Sequence, residues 1–344
     1  MTSRMCPAGS RLRSVLGALA HTLAGASACL ALVTATSPTF AQGYPSKPLT
    51  MVSPFAAGGT SDIVSRAVAK LMESDLGQPV VVVNRTGAGG TVGIGSVATG
   101  TADGYSVVMG GLGSIVFPTV IYKGKIKYEA AKDLVPLGAV GLAPTVIAVR
   151  ANLPAKNLAE LIALAKKDPG KLSFGSAGVG GTLHLAGVLL EAEAGINLNH
   201  IPYKGGAPAL LDLAAGNVDI ALADLTLVKP MIGSDRIRVI AIASGERSPL
   251  LPQVPTTTEQ GYPKLQIDTW YAPFVPAATP APVLARLRAS VNAIKANPEL
   301  AATLASQGIV PFKGNLDAFE KALKSDYEVW VPLLTRVCGQ TSCD

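Results

Sequence analysis

The chain is poor in the residues that metal centres and nucleophilic enzyme sites require. Its 344 residues include three histidines and four cysteines. None of them falls in a His-Glu-x-x-His or paired Cys-x-x-Cys spacing, which argues against a zinc or two-metal site. No Gly-x-Ser-x-Gly elbow is present, because the five residues centred on Ser176 begin with Phe174. The Gly-Lys pairs at 124 and 170 lack the Ser or Thr that follows in a phosphate-binding loop.

A dinucleotide cofactor is also disfavoured. Residues 93–98 match the pattern Gly-x-Gly-x-x-Ala, but they begin nine residues after the apolar run 80–84 and no acidic residue follows about 20 positions on. We therefore expect no cofactor. The chain also lacks clusters of lysine and arginine interleaved with aromatic residues, and its formal net charge is only +6. Nucleic acid is therefore not expected as a partner.

Acidic residues are absent from the first 61 positions. Three arginines in that stretch precede an apolar run at 15–33, and Thr39-Phe40-Ala41 has small residues where a signal peptidase reads the chain. The pattern predicts a secretory signal peptide over residues 1–41, a mature chain from Gln42 and a periplasmic location. A lipoprotein modified at Cys29 is a less favoured alternative, because the large aliphatic residue expected before that cysteine is missing.

Two of the four cysteines, Cys338 and Cys343, lie close to the C-terminus. In an oxidising periplasm they could close a small disulfide loop, which would hold the tail in place. The alternative is a pair of free thiols, and a mass measurement with and without reductant distinguishes the two states.

Apolar runs of strand length alternate with helical patterns along the rest of the chain, which favours parallel sheets with helices on their faces. The run 80–84 is apolar on both faces, as expected of a buried parallel strand. The predicted class is α/β, with parallel-dominated sheets flanked by helices. Strands are predicted at 49–53, 80–84, 105–109, 145–150, 172–174, 198–202, 218–223 and 238–243, and helices at 62–76, 158–167, 183–194, 207–215, 225–232, 282–296, 298–307 and 316–330.

Two stretches have the character of crossings between lobes, at 141–144 and 266–271. If they form a hinge, residues 42–143 and 268–344 together form lobe 1, and residues 144–267 form lobe 2. The chain that remains after the signal peptide is long enough for two lobes with substantial cores. A cleft between the lobes follows.

The most informative positive feature is a pair of glycine-rich loops without lysine or arginine, at 54–62 and 175–184. Each follows a strand-like run and opens a helix, so its backbone N–H groups and the positive end of the helix dipole would form an anion receptor. The alternative is that both are ordinary strand-to-helix turns. The candidate ligand-binding residues are Phe55, Gly58, Gly59, Thr60, Ser61 and Asp62 in the first loop, and Ser176, Ala177, Gly178, Gly180, Gly181, Thr182 and His184 in the second.

Three residues outside these loops are further candidates for ligand contact. Ser114 and Tyr203 each follow a predicted strand in a glycine-containing turn. Asp224 comes directly after the strand 218–223 and could accept a hydrogen bond from a ligand amine or hydroxyl, with a helix N-cap as the alternative. Trp270 and Tyr271, at the second crossing, could supply an apolar wall, although core packing is the commoner role of such residues.

Several of these segments recur together in one known family. The chain resembles the tripartite tricarboxylate transporter receptor family, whose members are also called Bug periplasmic solute-binding proteins. The resemblance runs from Tyr44 to about Phe319. The segments that carry it are 44–49, 54–62, 77–85, 87–90, 103–105 and 202–210.

The resemblance implies a two-lobe, Venus-flytrap fold that captures a small carboxylate and delivers it to a membrane permease of two subunits. It also implies that the loops at 54–62 and 175–184 clasp the carboxylate, partly through ordered waters. We expect a monomer that is not an enzyme and whose ligand is an aliphatic or aromatic carboxylate, with a dicarboxylate favoured. The alternatives are a sensor that presents its ligand to a receptor kinase and, less favoured, a hydrolase that uses Ser176 and His184. The C-terminal segment 336–343 departs from the family pattern.

Overall fold

The computed structural model describes residue 2 and residues 43–340. The part of the chain that begins at Pro45 forms one compact unit. The expected signal peptide at 1–41, Cys29 and Cys343 lie outside the described residues. Cys338 is disulfide-bonded, and its pairing with Cys343 stays a prediction.

The strands begin and end close to the predicted positions. The run of four valines that opens the second strand has the β-branched side chains that strands favour. The strands are β1 (Leu49–Ser53), β2 (Val80–Asn84), β3 (Ser106–Gly111), β4 (Leu134–Pro136), β5 (Gly141–Arg150), β6 (Ser173–Ser176), β7 (Asn199–Pro202), β8 (Ile220–Asp224), β9 (Ile237–Ile242), β10 (Asp268–Pro276) and β11 (Val310–Pro311).

The helices also follow the predicted order, with short additional turns. Glycine in the left-handed conformation ends two of the long ones, at Gly77 (φ 68°) and Gly195 (φ 60°). The helices are α1 (Thr60–Leu76), α2 (Thr91–Ala98), α3 (Leu112–Ile115), α4 (Pro118–Ile121), α5 (Ala130–Asp133), α6 (Leu158–Lys167), α7 (Thr182–Ala194), α8 (Gly206–Ala215), α9 (Leu225–Val228), α10 (Ala281–Ala296), α11 (Pro298–Ser306) and α12 (Leu316–Gln340). None of the helices in the described residues is both long and apolar enough to cross a bilayer.

The strands form one curled, mixed sheet in the order β2-β1-β3-β10-β5-β8-β6-β7, with β4 on β10 and with β9 and β11 on β5. Among the described strands, parallel pairing is confined to β2-β1-β3 and β8-β6-β7. The α/β fold is confirmed, but the sheet is mixed rather than dominated by parallel pairs. The reason is that β5 and β10 run in opposite directions between the two parallel sets and pair antiparallel with their neighbours.

The two predicted crossings are neighbouring strands. Gly141–Pro144 of β5 pairs with Asp268–Tyr271 of β10, and the rest of β5 continues into pairing with β8. The sequence did not identify 268–276 as a strand, although every residue of β10 after Asp268 is buried. The two lobes of the fold are therefore built around separate parallel strand sets that these two long strands connect.

Large apolar side chains fill the space between the sheet and its helices, among them the fully buried Phe174, Phe274 and Phe319. Trp270 belongs to this core. Its ring packs edge-on against Phe319 at a centroid distance of 4.9 Å, and its indole N–H donates to Asp326 at 2.8 Å. Trp270 thus takes the packing role rather than that of a cleft wall.

Candidate functional site

The first turns of α1 and α7 lie on opposite sides of a small cavity of about 40 Å³. The turn after β3 and the ends of β8 and β10 complete its wall. Eight of the predicted residues line it, namely Phe55, Gly59, Thr60, Ser61, Ser114, Ala177, Thr182 and Asp224. Tyr271, which was considered as an apolar wall, also lines it. The lining residues that the sequence did not indicate are Gly111, Gly113, Leu183, Gly206, Leu227 and Thr269.

Both helices present uncapped first turns. Gly59 and Gly181 are their N-caps in extended conformations, and no side chain of the described residues caps either helix. The first backbone hydrogen bonds run from the Ile63 N–H to the Gly59 carbonyl and from the Leu185 N–H to the Gly181 carbonyl. The backbone N–H groups of the first three residues of each helix therefore have no acceptor within the helix and point out of its positive end. An anion is the ligand that such a pair of helix ends favours.

Hydrogen bonds join the two sides of the cleft directly. The Gly113 N–H donates to Thr182 Oγ1 at 2.9 Å, the Ala56 N–H donates to the Lys204 carbonyl at 3.2 Å, and the Tyr122 hydroxyl donates to the Val179 carbonyl at 2.9 Å. The structure is therefore that of a closed cleft. A Cβ atom on Gly113 would overlap the backbone nitrogen of Thr182, so this approach requires glycine.

Asp62 supports the first loop from behind and does not line the cavity. Its carboxylate accepts from both the Nε and an Nη of Arg66 at 2.9 Å, from the Asn84 amide at 2.9 Å and from the Gly58 N–H at 3.0 Å. Burial acts to raise the pKa of Asp62, but these hydrogen bonds outweigh it and lower the pKa below its ordinary value. The structure thus places Asp62 and Gly58 where they hold the loop in shape.

A stack of three aromatic rings supports the second loop, with Phe174 and His184 buried and His200 partly buried. His184 lies against His200 with a centroid distance of 4.1 Å, and His200 lies against Phe174 at 4.7 Å. His184 Nδ1 accepts from the Gly180 N–H at 3.1 Å. Burial, with a contribution from His200, lowers the pKa of His184 to about 3, and burial lowers the pKa of His200 to about 4. Both imidazoles are therefore neutral at physiological pH and act as packing and hydrogen-bonding groups.

Ser176 is fully buried and lies beside His200 rather than the predicted partner His184, with Oγ and Nε2 at 2.7 Å. Its Oγ also accepts from the Gly178 N–H at 3.2 Å. Neither Ser176 nor His184 lines the cavity. The hydrolase alternative would need Ser176 to contact His184. In the structure Ser176 is instead hydrogen-bonded to His200, which lies on the neighbouring strand β7.

Two of the remaining predicted residues face a second hollow. Gly178 and Tyr203 line a space of about 420 Å³ that shares Phe55 and Ala177 with the first cavity. The Tyr203 hydroxyl donates to Asp212 at 2.6 Å. Gly180 and Gly181 shape the turn before α7 and line neither space.

Asp224 is buried at one end of the first cavity. It occupies the N-cap position of α9 but makes no capping bond among the described residues. Its Oδ2 instead accepts from the Tyr271 hydroxyl at 2.9 Å. Burial raises the pKa of Asp224 to about 6, although Thr60 and Tyr271 act to lower it. Of the two predicted roles, the geometry favours the one directed into the cleft.

Within residues 43–340, no group of three or more His, Cys, Asp and Glu side chains could hold a metal ion. The cavity wall consists of backbone N–H groups, hydroxyls, small apolar surfaces and one carboxyl group. The arrangement can hold an anion and orient it. Ser176 and His200 are not among the residues that line the cavity.

Comparison with known proteins agrees with this geometry. The family model described as tripartite tricarboxylate transporter family receptor matches residues 64–338. The periplasmic binding protein BugD is similar, with 36% identity, coverage of 86% of this chain and 98% of BugD, and a TM-score of 0.81.

Two similar structures contain a named ligand. MatC from Rhodopseudomonas palustris with bound malate is 28% identical, covers 86% of this chain and 99% of its own, and has a TM-score of 0.80. Another R. palustris protein, solved with adipate, is 29% identical, covers 86% and 98%, and has a TM-score of 0.81. The periplasmic-binding-protein fold expected from the sequence is confirmed.

Proposed function

The chain belongs to the tripartite tricarboxylate transporter receptor family, and from this premise and the geometry of the cleft we propose that it captures a small carboxylate between its lobes and delivers it to a two-subunit membrane permease. The observation that carries the proposal is the pair of uncapped helix N-termini, α1 and α7, on opposite sides of one cavity. Malate and adipate, the ligands named for two similar structures, are both carboxylates.

Closure couples binding to a change of shape. Residues 42–143 and 268–344 form one lobe, residues 144–267 form the other, and the paired strands β5 and β10 act as the hinge. Only the closed cleft lets both helix ends donate to one carboxylate, so the ligand stabilises that state. The hydrogen bonds of Gly113 with Thr182 and of Ala56 with Lys204 then hold the two lobes together.

The protein binds its ligand without altering it and acts as a monomer. The proposal is supported by the position of Ser176 and His200, which lie outside the residues that line the cavity. The signal peptide at 1–41 directs the chain to the periplasm, where it meets its solute before the permease does.

A thermal-shift experiment on the mature chain, from Gln42, tests the proposal. We expect malate or another small carboxylate to raise the melting temperature by several degrees at about 100 times its Kd, because a ligand that binds only the native state stabilises it by roughly 2.7 kcal/mol there. The neutral diamide of the same acid is the matched control. No shift with any member of a panel of mono-, di- and tricarboxylates, or an equal shift with the diamide, would refute carboxylate capture.

A further inference from the structure

One end of the cavity, which we call the acceptor end, contains the Asp224 carboxyl group and two threonine hydroxyls. Asp224 Oδ1, Thr60 Oγ1 and Thr269 Oγ1 are buried and have no hydrogen-bond partner within the described part of the chain. All three residues line the first cavity. A buried carboxylate oxygen without a donor is costly, and the cost is removed when a bound molecule supplies the donor.

The surroundings of Asp224 supply little else to balance its charge. Its neighbours on the packed elements are Thr145 of β5, Thr60 of α1 and Tyr271 of β10. Of these, Tyr271 donates one hydrogen bond, to Oδ2, and the Thr60 hydroxyl also acts to stabilise the charged carboxylate. None of the residues known to line the cavity, in the portion that the structure describes, is a lysine or arginine.

The acceptor end is adjacent to the anion-binding end. Thr60 contributes to both, because its backbone N–H belongs to the uncapped first turn of α1 while its hydroxyl lies near Asp224. A carboxylate bound at the first turn of α1 would therefore lie near the end of the cavity that contains Asp224. A second carboxylate at that position would be repelled by the Asp224 charge.

We propose that Asp224 is a specificity-determining residue, which selects carboxylates that carry a hydrogen-bond donor, a hydroxyl or an ammonium group, next to the bound carboxylate. Asp224 Oδ1 accepts that hydrogen bond, and Thr60 Oγ1 and Thr269 Oγ1 complete the contacts. The inference rests on the proposed function, since it assigns the other end of the same ligand. A site built to receive a donor rejects analogues that lack it more strongly than an apolar site rejects a missing methylene.

Three four-carbon dicarboxylates that share one skeleton test the proposal: succinate, which has no donor, malate, which has a hydroxyl, and aspartate, which has an ammonium group. We expect titration calorimetry at pH 7.5 to show that the wild-type protein binds malate or aspartate at least about tenfold more tightly than succinate. Whichever of the two binds more tightly identifies the donor as hydroxyl or ammonium. Asp224→Asn replaces the charged carboxylate with a neutral amide oxygen, which is a weaker acceptor, and should reduce the preference to within about threefold.

The chain offers a matched control in a second Asp and Tyr pair. Asp212 accepts from the Tyr203 hydroxyl at 2.6 Å, as Asp224 accepts from Tyr271, but Asp212 does not line the first cavity. Asp212→Asn should leave the preference unchanged.

Equal affinity of the wild-type protein for the three ligands would overturn the proposal while leaving carboxylate capture intact. A preference that persists in Asp224→Asn would also overturn it. A third contradicting result is that succinate binding takes up one proton in the wild-type protein and none in Asp224→Asn, because Asp224 would then be protonated and would donate to the ligand. If no carboxylate in the panel binds, both the proposed function and the proposed role of Asp224 are refuted. Because the wild-type comparison needs no variant, it remains decisive even if Asp224→Asn folds poorly.

Discussion

At the scale of single residues, several polar side chains in the glycine-rich loops stabilise the protein rather than touch the cavity. Asp62 is the clearest example, because its carboxylate accepts four hydrogen bonds from Arg66, Asn84 and Gly58 while it remains almost fully buried. Asp62 thereby fixes the loop that leads into α1. The position of Gly59 and Thr60 at the cavity depends on this support.

Replacing Asp62 with Asn should destabilise the protein at neutral pH. We expect a loss of about 2–4 kcal/mol in the free energy of unfolding, because the Arg66 charge and several donors lose their anionic acceptor. The exposed Asp235→Asn serves as a control and should change stability by no more than about 0.5 kcal/mol.

The effect of Asp62 should depend on pH in a defined direction. Its pKa is lowered in the folded state, so its contribution is complete above the pKa of about 3.9 in the unfolded chain and is lost as the pH falls through the lower folded value. Urea unfolding of the wild-type protein and of Asp62→Asn at pH 7 and pH 3 measures this. A difference that stays constant between the two pH values would contradict the assigned role.

At the scale of elements, the second loop depends on a neutral histidine stack under the start of α7. His184 and His200 have folded pKa values of about 3 and about 4, against an unfolded value of about 6.5. The unfolded chain therefore binds more protons between those limits. Stability that is complete above pH 6.5 should fall as the pH is lowered toward 4.

Each histidine should contribute a slope of about 1.4 kcal/mol per pH unit to that fall. In His184→Gln, whose amide oxygen can still accept from the Gly180 N–H, the slope between pH 6 and pH 4.5 should decrease by about that amount. Urea unfolding across this range provides the measurement. An unchanged slope would show that His184 is not buried as a neutral group.

The turn after β3 sets how closely the lobes approach. Gly113→Val would place a side chain in the space of the Thr182 backbone, so we expect ligand affinity to fall by at least about 100-fold while the fold is retained. The matched control is Gly245→Val, since a Cβ there meets nothing closer than 3.5 Å. Calorimetry with the carboxylate identified for the wild-type protein, together with small-angle scattering, measures affinity and closure. Unchanged affinity in Gly113→Val would exclude this turn from the closed cleft.

Local patterns in the sequence predicted most elements, but not the pairing that depends on distant residues. The apolar runs at 49–53 and 80–84 gave β1 and β2 with their observed ends. Strand β10 was missed because Gln266–Tyr271 has the composition of a connection, and its partners, β3, β4 and β5, are distant in sequence. Antiparallel pairing between distant strands leaves no short-range signal.

The candidate site shows the same division. The loops at 54–62 and 175–184 were identifiable from glycine and hydroxyl residues between a strand and a helix. Thr269 and Gly113 reach the cavity only through tertiary packing. The bond between Ser176 and His200 joins residues of two paired strands, so the sequence could not show which histidine Ser176 would meet. Ser114 was identifiable in a similar way, because it follows a predicted strand in a glycine-containing turn.

At the scale of the whole molecule, we propose that two lobes close over an anion that helix ends from both lobes hold. The long strands β5 and β10 connect the lobes, and hydrogen bonds such as that from the Gly113 N–H to Thr182 Oγ1 form across the closed cleft. Ligand binding and lobe closure are then coupled, so that each favours the other. A ligand that contacted only one lobe would bind the open and closed states with similar affinity and would not favour closure.

The decisive measurement is a crystal structure of the protein with a bound carboxylate that calorimetry has identified. We expect the carboxylate oxygens to lie within hydrogen-bonding distance, directly or through one water, of first-turn N–H groups of both α1 and α7. A carboxylate bound to only one of these helix ends, or bound outside the cavity between them, would contradict it.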